Sequence, residues 1–217
     1  MNSNYYHLQL ETPQNSINRI SMGYVRFLHV APNVPNVDIY VNDELVAVGL
    51  EYGMFTEYLS LPPKRYVISI YKTGEKDNSV LSGELVVSNN KWMTVAAIGT
   101  IDDIKLALLN DAEGLLSKMT SSIRFVHLSP NAPAVDITLS DGTILFKNVK
   151  YLEMTNYLTV VPKDYQLQVR ISGTDQVVLT IPDIKLESDN YYSAYAIGLV
   201  DQEPQLTALL LVDGKKM

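Results

Sequence analysis

The chain is expected to be all-β, folded as two tandem antiparallel β-sandwich domains joined by a short helical linker. Three observations lead there. Val25 to Ile39 read VRFLHVAPNVPNVDI and Ile123 to Ile137 read IRFVHLSPNAPAVDI, nine of fifteen positions being identical at an offset of 98. Self-similarity at the length of a small domain marks a duplicated folding unit. Short segments rich in Val, Ile, Tyr and Thr alternate with turn signals roughly every ten residues. Apolar residues make up 47% of the 217 and charged residues 19%, enough apolar surface for two cores.

In chain order, residues 1–23 form a polar arm rich in Asn and Gln. They lack a basic start followed by an apolar run, so they do not read as a secretory signal. The pairs Tyr5-Tyr6 and Leu8/Leu10 offer an added edge strand as the alternative to a flexible arm. The first repeat, 24–111, is read as strands over Val25–Val30, Val37–Val41, Glu44–Val48, Thr56–Leu61, Arg65–Tyr71, Ser79–Val87, Met93–Gly99 and Lys105–Leu109. Turns fall at Pro32-Asn33, Asn42-Asp43, Pro62-Pro63, Lys72-Thr73-Gly74 and Asn89-Asn90, where Gly, Asn and Pro supply the required backbone angles.

The linker, 112–122, follows. Asp111–Met119 is the sole helical candidate, weakened by Gly114, and Leu115, Leu116 and Met119 are expected to pack and fix the two domains relative to each other. The second repeat, 123–217, follows the first. Tyr157-Leu158, Pro162-Lys163, Tyr165, Gly173 and Ala196-Ile197-Gly198 match Tyr58-Leu59, Pro63-Lys64, Tyr66, Gly74 and Ala97-Ile98-Gly99 at an offset of 99. One residue has therefore been gained near Asp141-Gly142, a turn where insertion is tolerated. So many short strands in each repeat indicate a sandwich of immunoglobulin-like or transthyretin-like kind, with a small barrel as the runner-up.

Composition excludes several functions. A net charge of −7 and a pI near 4.9 argue against nucleic-acid backbone and against a polybasic grip on lipid, since both need clustered cations. No apolar run is long enough to span a membrane. There is no cysteine, hence no disulfide, thiolate metal site or thiol nucleophile.

The repeated motif carries the interest. Along its first strand Val25, Phe27 and His29 share one face and Arg26, Leu28 and Val30 the other. Pro32, Asn33 and Pro35 then force a corner before Asp38, and Pro130, Asn131 and Pro133 do the same before Asp136. The reading favoured here is structural: His29 and Asp38 tie the corner to its sheet, as do His127 and Asp136. A hydrolase built on His127, Ser129 and Asp136 is the distant alternative, disfavoured because Ala31 replaces the serine in the first repeat and no nucleophile elbow is present. One His and one Asp per repeat fall short of a metal site, so no cofactor is expected. Asp102-Asp103 and the run Glu75 to Asn78 read as solvated loops and not as calcium ligands. Fourteen tyrosines suggest a second surface: Trp92, Tyr191, Tyr192 and Tyr195 form a candidate ligand-binding cluster, against the plainer reading of cross-strand packing.

On these residues the chain resembles a bacterial family known as domain of unknown function 4397. Its members read like R-x-x-H-x-S-P-[DN]-A-P-x-V-D, matched by Arg26, His29, Pro32, Asn33, Pro35, Val37 and Asp38 and by Arg124, His127, Ser129, Pro130, Asn131, Pro133, Val135 and Asp136. The later Tyr-Leu, Tyr66/Tyr165 and Ala-Ile-Gly segments extend it over about 25–111 and 123–213. The resemblance implies tandem β-sandwiches on exported or envelope proteins, with no established activity. The expected function is therefore a non-enzymatic structural or adhesive module of a cell envelope or spore surface. A carbohydrate-binding module using Tyr and Trp is the main alternative. Its protein or glycan partner is not named by the residues.

Overall fold

The computed structural model describes residues 21–112, 114 and 116–214. The polar arm, with the edge strand considered around Tyr5, Tyr6, Leu8 and Leu10, lies outside them. The first half builds β1 (Gly23–His29), β2 (Val37–Val41), β3 (Glu44–Leu50), β4 (Leu59–Leu61), β5 (Arg65–Lys72), β6 (Leu81–Val86), β7 (Trp92–Ile98) and β8 (Lys105–Asn110). The second half repeats the set as β9 (Ser121–His127), β10 (Val135–Leu139), β11 (Ile144–Val149), β12 (Leu158–Val160), β13 (Lys163–Ile171), β14 (Val177–Leu186), β15 (Tyr191–Ile197) and β16 (Thr207–Asp213). Each half is sandwich-like, with one sheet ordered β4-β1-β7-β8 and the other β3-β2-β5-β6, and the corresponding β12-β9-β15-β16 and β11-β10-β13-β14.

Two expectations need correction. The sheets are not wholly antiparallel: β1 runs parallel to β7 from Tyr24↔Trp92 to His29↔Ala97, and β9 parallel to β15. The chain leaves β1, builds the second sheet and returns in the same direction, a crossover long enough for parallel pairing. The linker is not helical either, since no helix occurs among the described residues. Gly114 sits at φ 93°, a left-handed conformation that breaks a helix. Asp111 still belongs to the sheet, its N–H donating to the Trp92 carbonyl at 2.9 Å. Met119, expected to pack, is 82% exposed.

The single-residue gain falls where the repeat offset places it. In the first half Asn42 and Asp43 both take positive φ, 48° and 67°, the two-residue turn that suits a twisted hairpin. In the second half the turn is one residue longer, with Gly142 at φ 88° and the Leu139 N–H donating to the Thr143 carbonyl at 2.8 Å.

Binary patterning explains the layers. In β5, Tyr66, Ile68 and Ile70 are buried while Arg65 and Val67 are exposed, the alternation of a strand with one wet face. By contrast β1 is buried almost throughout. Val25 and Phe27 enter the core of the first half together with Ile39, Ile68 and Leu85. Leu28 and Val30, on the other face, join a third core with Ala96, Ile98, Val126, Leu128, Tyr195 and Ile197. That core draws on both halves, so the sheets containing β1 and β9 pack against each other. The central strands are covered on both sides, which is why the motif reads as a nearly continuous apolar run.

One turn carries a local mismatch. Gly53 (φ 80°) and Leu152 (φ 70°) occupy equivalent turns, their N–H groups donating to the carbonyls of His29 and His127. A leucine pays the left-handed penalty of about 1–2 kcal/mol that glycine avoids, partly offset by glycine's greater freedom when unfolded. Leu152→Gly is therefore expected to raise stability by about 0.5–1 kcal/mol. An unchanged or lowered denaturation midpoint would refute the strain.

Candidate functional site

The motif histidines sit at the ends of β1 and β9 and are fully buried. His29 Nε2 lies 3.2 Å from the Pro35 carbonyl and His127 Nε2 lies 3.1 Å from the Pro133 carbonyl. A carbonyl only accepts, so Nε2 carries the proton and Nδ1 is left as the acceptor. Burial lowers the pKa of both rings, against the opposing pull of these carbonyls.

A sign follows for pH. Below the ordinary value of 6.5 the unfolded chain binds protons that the folded chain refuses, so stability falls as pH falls. The melting temperature is expected to decline as pH falls below 6.5, and His29→Gln with His127→Gln should flatten that slope. An equally steep decline in the double variant would assign it elsewhere.

The aspartates do a different job from the one expected. Asp38 Oδ1 accepts the Gly49 N–H at 2.8 Å and Oδ2 the Gly74 N–H at 3.0 Å. Asp136 accepts the Asn148 N–H at 2.6 Å, the Ser172 hydroxyl at 2.9 Å and the Gly173 N–H at 3.0 Å. Gly49 and Asn148 both take positive φ, at the register shifts between β2 and β3 and between β10 and β11. Each carboxylate thus pins a bulge and the turn after β5 or β13. Burial pushes both carboxyls up, but these donors outweigh it and hold them below their ordinary value. His and Asp serve separate stretches of backbone and do not form a pair.

The corner residues anchor a further loop. Asn33 takes φ 62°. In the second half the Asn131 side chain brackets Val200, donating to its carbonyl at 3.0 Å and accepting its N–H at 2.8 Å. Buried Ser129 donates to the Gly198 carbonyl at 2.7 Å. Ser129, His127 and Asp136 are thus each bonded to a different backbone partner and do not converge as a triad. Pro32 and Pro130 lead the chain into the corner, and Pro35 and Pro133 supply the carbonyls that the imidazoles hold.

Arg26 and Arg124 do what the sequence reading did not assign. Arg26 Nη2 donates to Asp213 Oδ1 in the second half, its Nη1 to the Val212 carbonyl at 2.7 Å and its Nε to Thr94 at 2.7 Å. Arg124 mirrors it, with Nη2 to Asp111 at 2.6 Å, Nη1 to the Asn110 carbonyl at 2.6 Å and Nε to Ser193 at 2.6 Å. Tyr58 and Thr94 donate to Asp111 at 2.6 and 2.7 Å. Tyr157 and Ser193 donate to Asp213 at 2.6 and 2.5 Å. Each guanidinium also lies 4.8 Å from a ring centroid, Arg26 on Tyr58 and Arg124 on Tyr157, a cation–π contact.

The result is a buried, charge-balanced network across the joint. Burial would lower the Arg26 pKa, but Tyr195, Asp111 and Asp213 around it hold it above its ordinary value, and Arg124 is raised in the same way. Burial pushes the Tyr195 hydroxyl up to about 12. A signal for the network was present: Tyr58 and Tyr157 match in the repeat, and Asp111 and Asp213 each follow the last apolar strand of a half.

The aromatic cluster disperses. Tyr192 enters the second core and its hydroxyl accepts the Glu187 N–H at 3.0 Å. Tyr195 is fully buried in the joint. Half-buried Trp92 stacks on Tyr24 at 4.0 Å and meets Tyr58 edge-on, while Tyr191 meets Tyr157. Among the described residues, no group of three or more His, Asp or Glu is placed to hold a metal ion. No helix there is long and apolar enough to cross a membrane.

The model of the family named domain of unknown function (DUF4397) matches twice, over 23–138 and 121–216. No curated protein matches. Among solved structures, the Bacillus anthracis TIE protein is similar at 10% identity and a TM-score of 0.25, over 89% of this chain and 44% of that one. The chain therefore spans less than half the length of that structure. It belongs to the DUF4397 family, with two copies of the domain in tandem.

Proposed function

We propose that this tandem DUF4397 chain is a non-enzymatic structural or adhesive module of a bacterial cell envelope or spore surface, its halves being sandwiches of immunoglobulin-like or transthyretin-like kind. One observation carries the reading. The imidazole, carboxylate and guanidinium groups of the repeated motif are buried and bonded internally: imidazole to corner carbonyl, carboxylate to turn, guanidinium to the opposite half. Such groups hold a shape and present no reactive atom to solvent. A charged network sealed between two apolar sheets favours a fixed arrangement of the halves over a flexible string, which suits a load-bearing or display role.

The test is retention on surfaces. Purified chain, fluorescently labelled, is incubated with isolated cell envelopes and with spores of a Gram-positive bacterium. Saturable retention is the expected result. Recovery in the supernatant at every concentration removes the adhesive reading. Turnover of ester or glycoside substrates that disappears in Ser129→Ala overturns the non-enzymatic one.

A further inference from the structure

The second half differs from the first at one end. β7 and β8 are joined by the six residues 99–104, β15 and β16 by the nine residues 198–206, as the register pairs Ile98↔Lys105 and Ile197↔Thr207 show. The repeat offset accordingly rises from 99 at Gly99/Gly198 to 102 at Asp111/Asp213. The three added residues do not dangle. Leu199 N–H donates to the Pro204 carbonyl at 2.8 Å and Leu206 N–H to the Leu199 carbonyl at 2.9 Å. Asn131 brackets Val200 from the motif corner and Ser129 holds Gly198. The first half has Ala31 where Ser129 stands.

This braced loop walls a cavity of about 690 Å³ against the start of β14, within the size range of small-molecule sites. Ile171, Val178, Leu199 and Leu206 are among its apolar lining residues, and Gln176, Asp201, Glu203 and Gln205 among its polar ones. Among the described residues that line it there is no Lys, Arg or His, while Asp201 and Glu203 are present, a charge balance that disfavours an anion. Carboxylates and amides mixed with aliphatic side chains match a ligand that carries both vicinal hydroxyls and C–H surface.

We infer that this groove, walled by the longer loop of the second half, is a binding site for a neutral glycan segment and is held open by the motif residues Ser129 and Asn131. The inference deepens the adhesive reading by naming its ligand class. It also moves carbohydrate recognition away from Tyr192 and Tyr195, which are buried. A wall braced before the ligand arrives has little ordering left to undergo on binding.

The experiment is a titration of the full chain, followed by amide NMR, with maltotriose, cellotriose, mannotriose and N,N′-diacetylchitobiose, and with an Arg/Lys-rich hexapeptide as the competing class. The expected result is saturable shifts for at least one sugar, confined to Gln176 and residues 199–206. Asp201→Ala and Gln205→Ala, both at exposed positions, should weaken that binding tenfold or more, and replacing 199–206 by the shorter segment 100–104 should abolish it. Silence from all four sugars, saturation by the peptide alone, or binding indifferent to both point variants overturns the assignment. Envelope retention that persists while the sugars stay silent removes the groove and spares the adhesive reading, and loss of retention removes the adhesive reading itself.

Discussion

Arg26→Ala is expected to destabilise the protein by about 3–5 kcal/mol, the range for removing one partner of a buried ion pair. The physical cause is the group left behind. Asp213 would keep its bonds to Tyr157 and Ser193, but its remaining guanidinium, Arg124, is 3.8 Å away and already bonded to Asp111. Its side chain is wholly shielded from water. Against a total stability of about 5–15 kcal/mol, the loss is large. Arg124→Ala should cost a similar amount, because its partners are the mirror set.

Two further readouts make the argument specific to the joint. Trp92 is the sole tryptophan, so its fluorescence follows the first half while far-UV circular dichroism follows both. If the network couples the halves, the two probes coincide in the parent protein and separate in Arg26→Ala. The pair Arg26→Ala with Asp213→Ala should also fall short of the sum of its single variants, since the second change removes the stranded charge. A cost below about 1 kcal/mol, with the two probes still coincident, would mean that the apolar core alone holds the sheets together.

The repeat, the strand content and the turn chemistry were legible because each is written locally: alternation on β5, Asn42-Asp43 for a tight hairpin, and a gained residue that turned up in a turn. The motif was legible as a repeated unit, yet the bonds of its arginine across the joint were not. Alternation placed Arg26 beside Leu28 and Val30, on the face away from its own core. Leu28 and Val30 mark that face as apolar, but they do not say what covers it. What covers a sheet is a tertiary fact, and strand periodicity says nothing of it. Strand direction is equally invisible, so β1 and β7 were expected to be antiparallel. The helical linker was overestimated from its leucines, while Gly114 was the better guide. Reading His29 and Asp38 together rested on nearness in sequence, whereas the imidazole meets the Pro35 carbonyl and the carboxylate accepts from the N–H groups of Gly49 and Gly74.

Gly99→Ala and Gly198→Ala are expected to cost about 2–4 kcal/mol each, and they test how the ends of the sandwiches are built. Both glycines sit at φ 87°, where any side chain meets a penalty of about 1–2 kcal/mol. Space is the second cause. A Cβ on Gly99 would lie well inside contact with the Asp103 carbonyl oxygen, and one on Gly198 with that of Gln205 and at 2.9 Å from that of Pro204. Backbone oxygens cannot swing aside as a side-chain tip can, so the loop must shift, at about 1–3 kcal/mol for such overpacking. Gly53 and Gly74 separate the two causes: they have positive φ too, 80° and 79°, but an added Cβ would meet nothing within 4 Å. Their alanine variants should show the conformational penalty alone. Equal costs at all four positions, read from denaturant midpoints, would mean that crowding plays no part. A larger cost at Gly99 and Gly198 would place the repeated Ala-Ile-Gly segment at a point where backbone crosses backbone too closely for any side chain. In Gly198→Ala the displaced segment is the one that Asn131 and Ser129 brace, so perturbed amide signals at Val200 and Gln205 should accompany the lost stability.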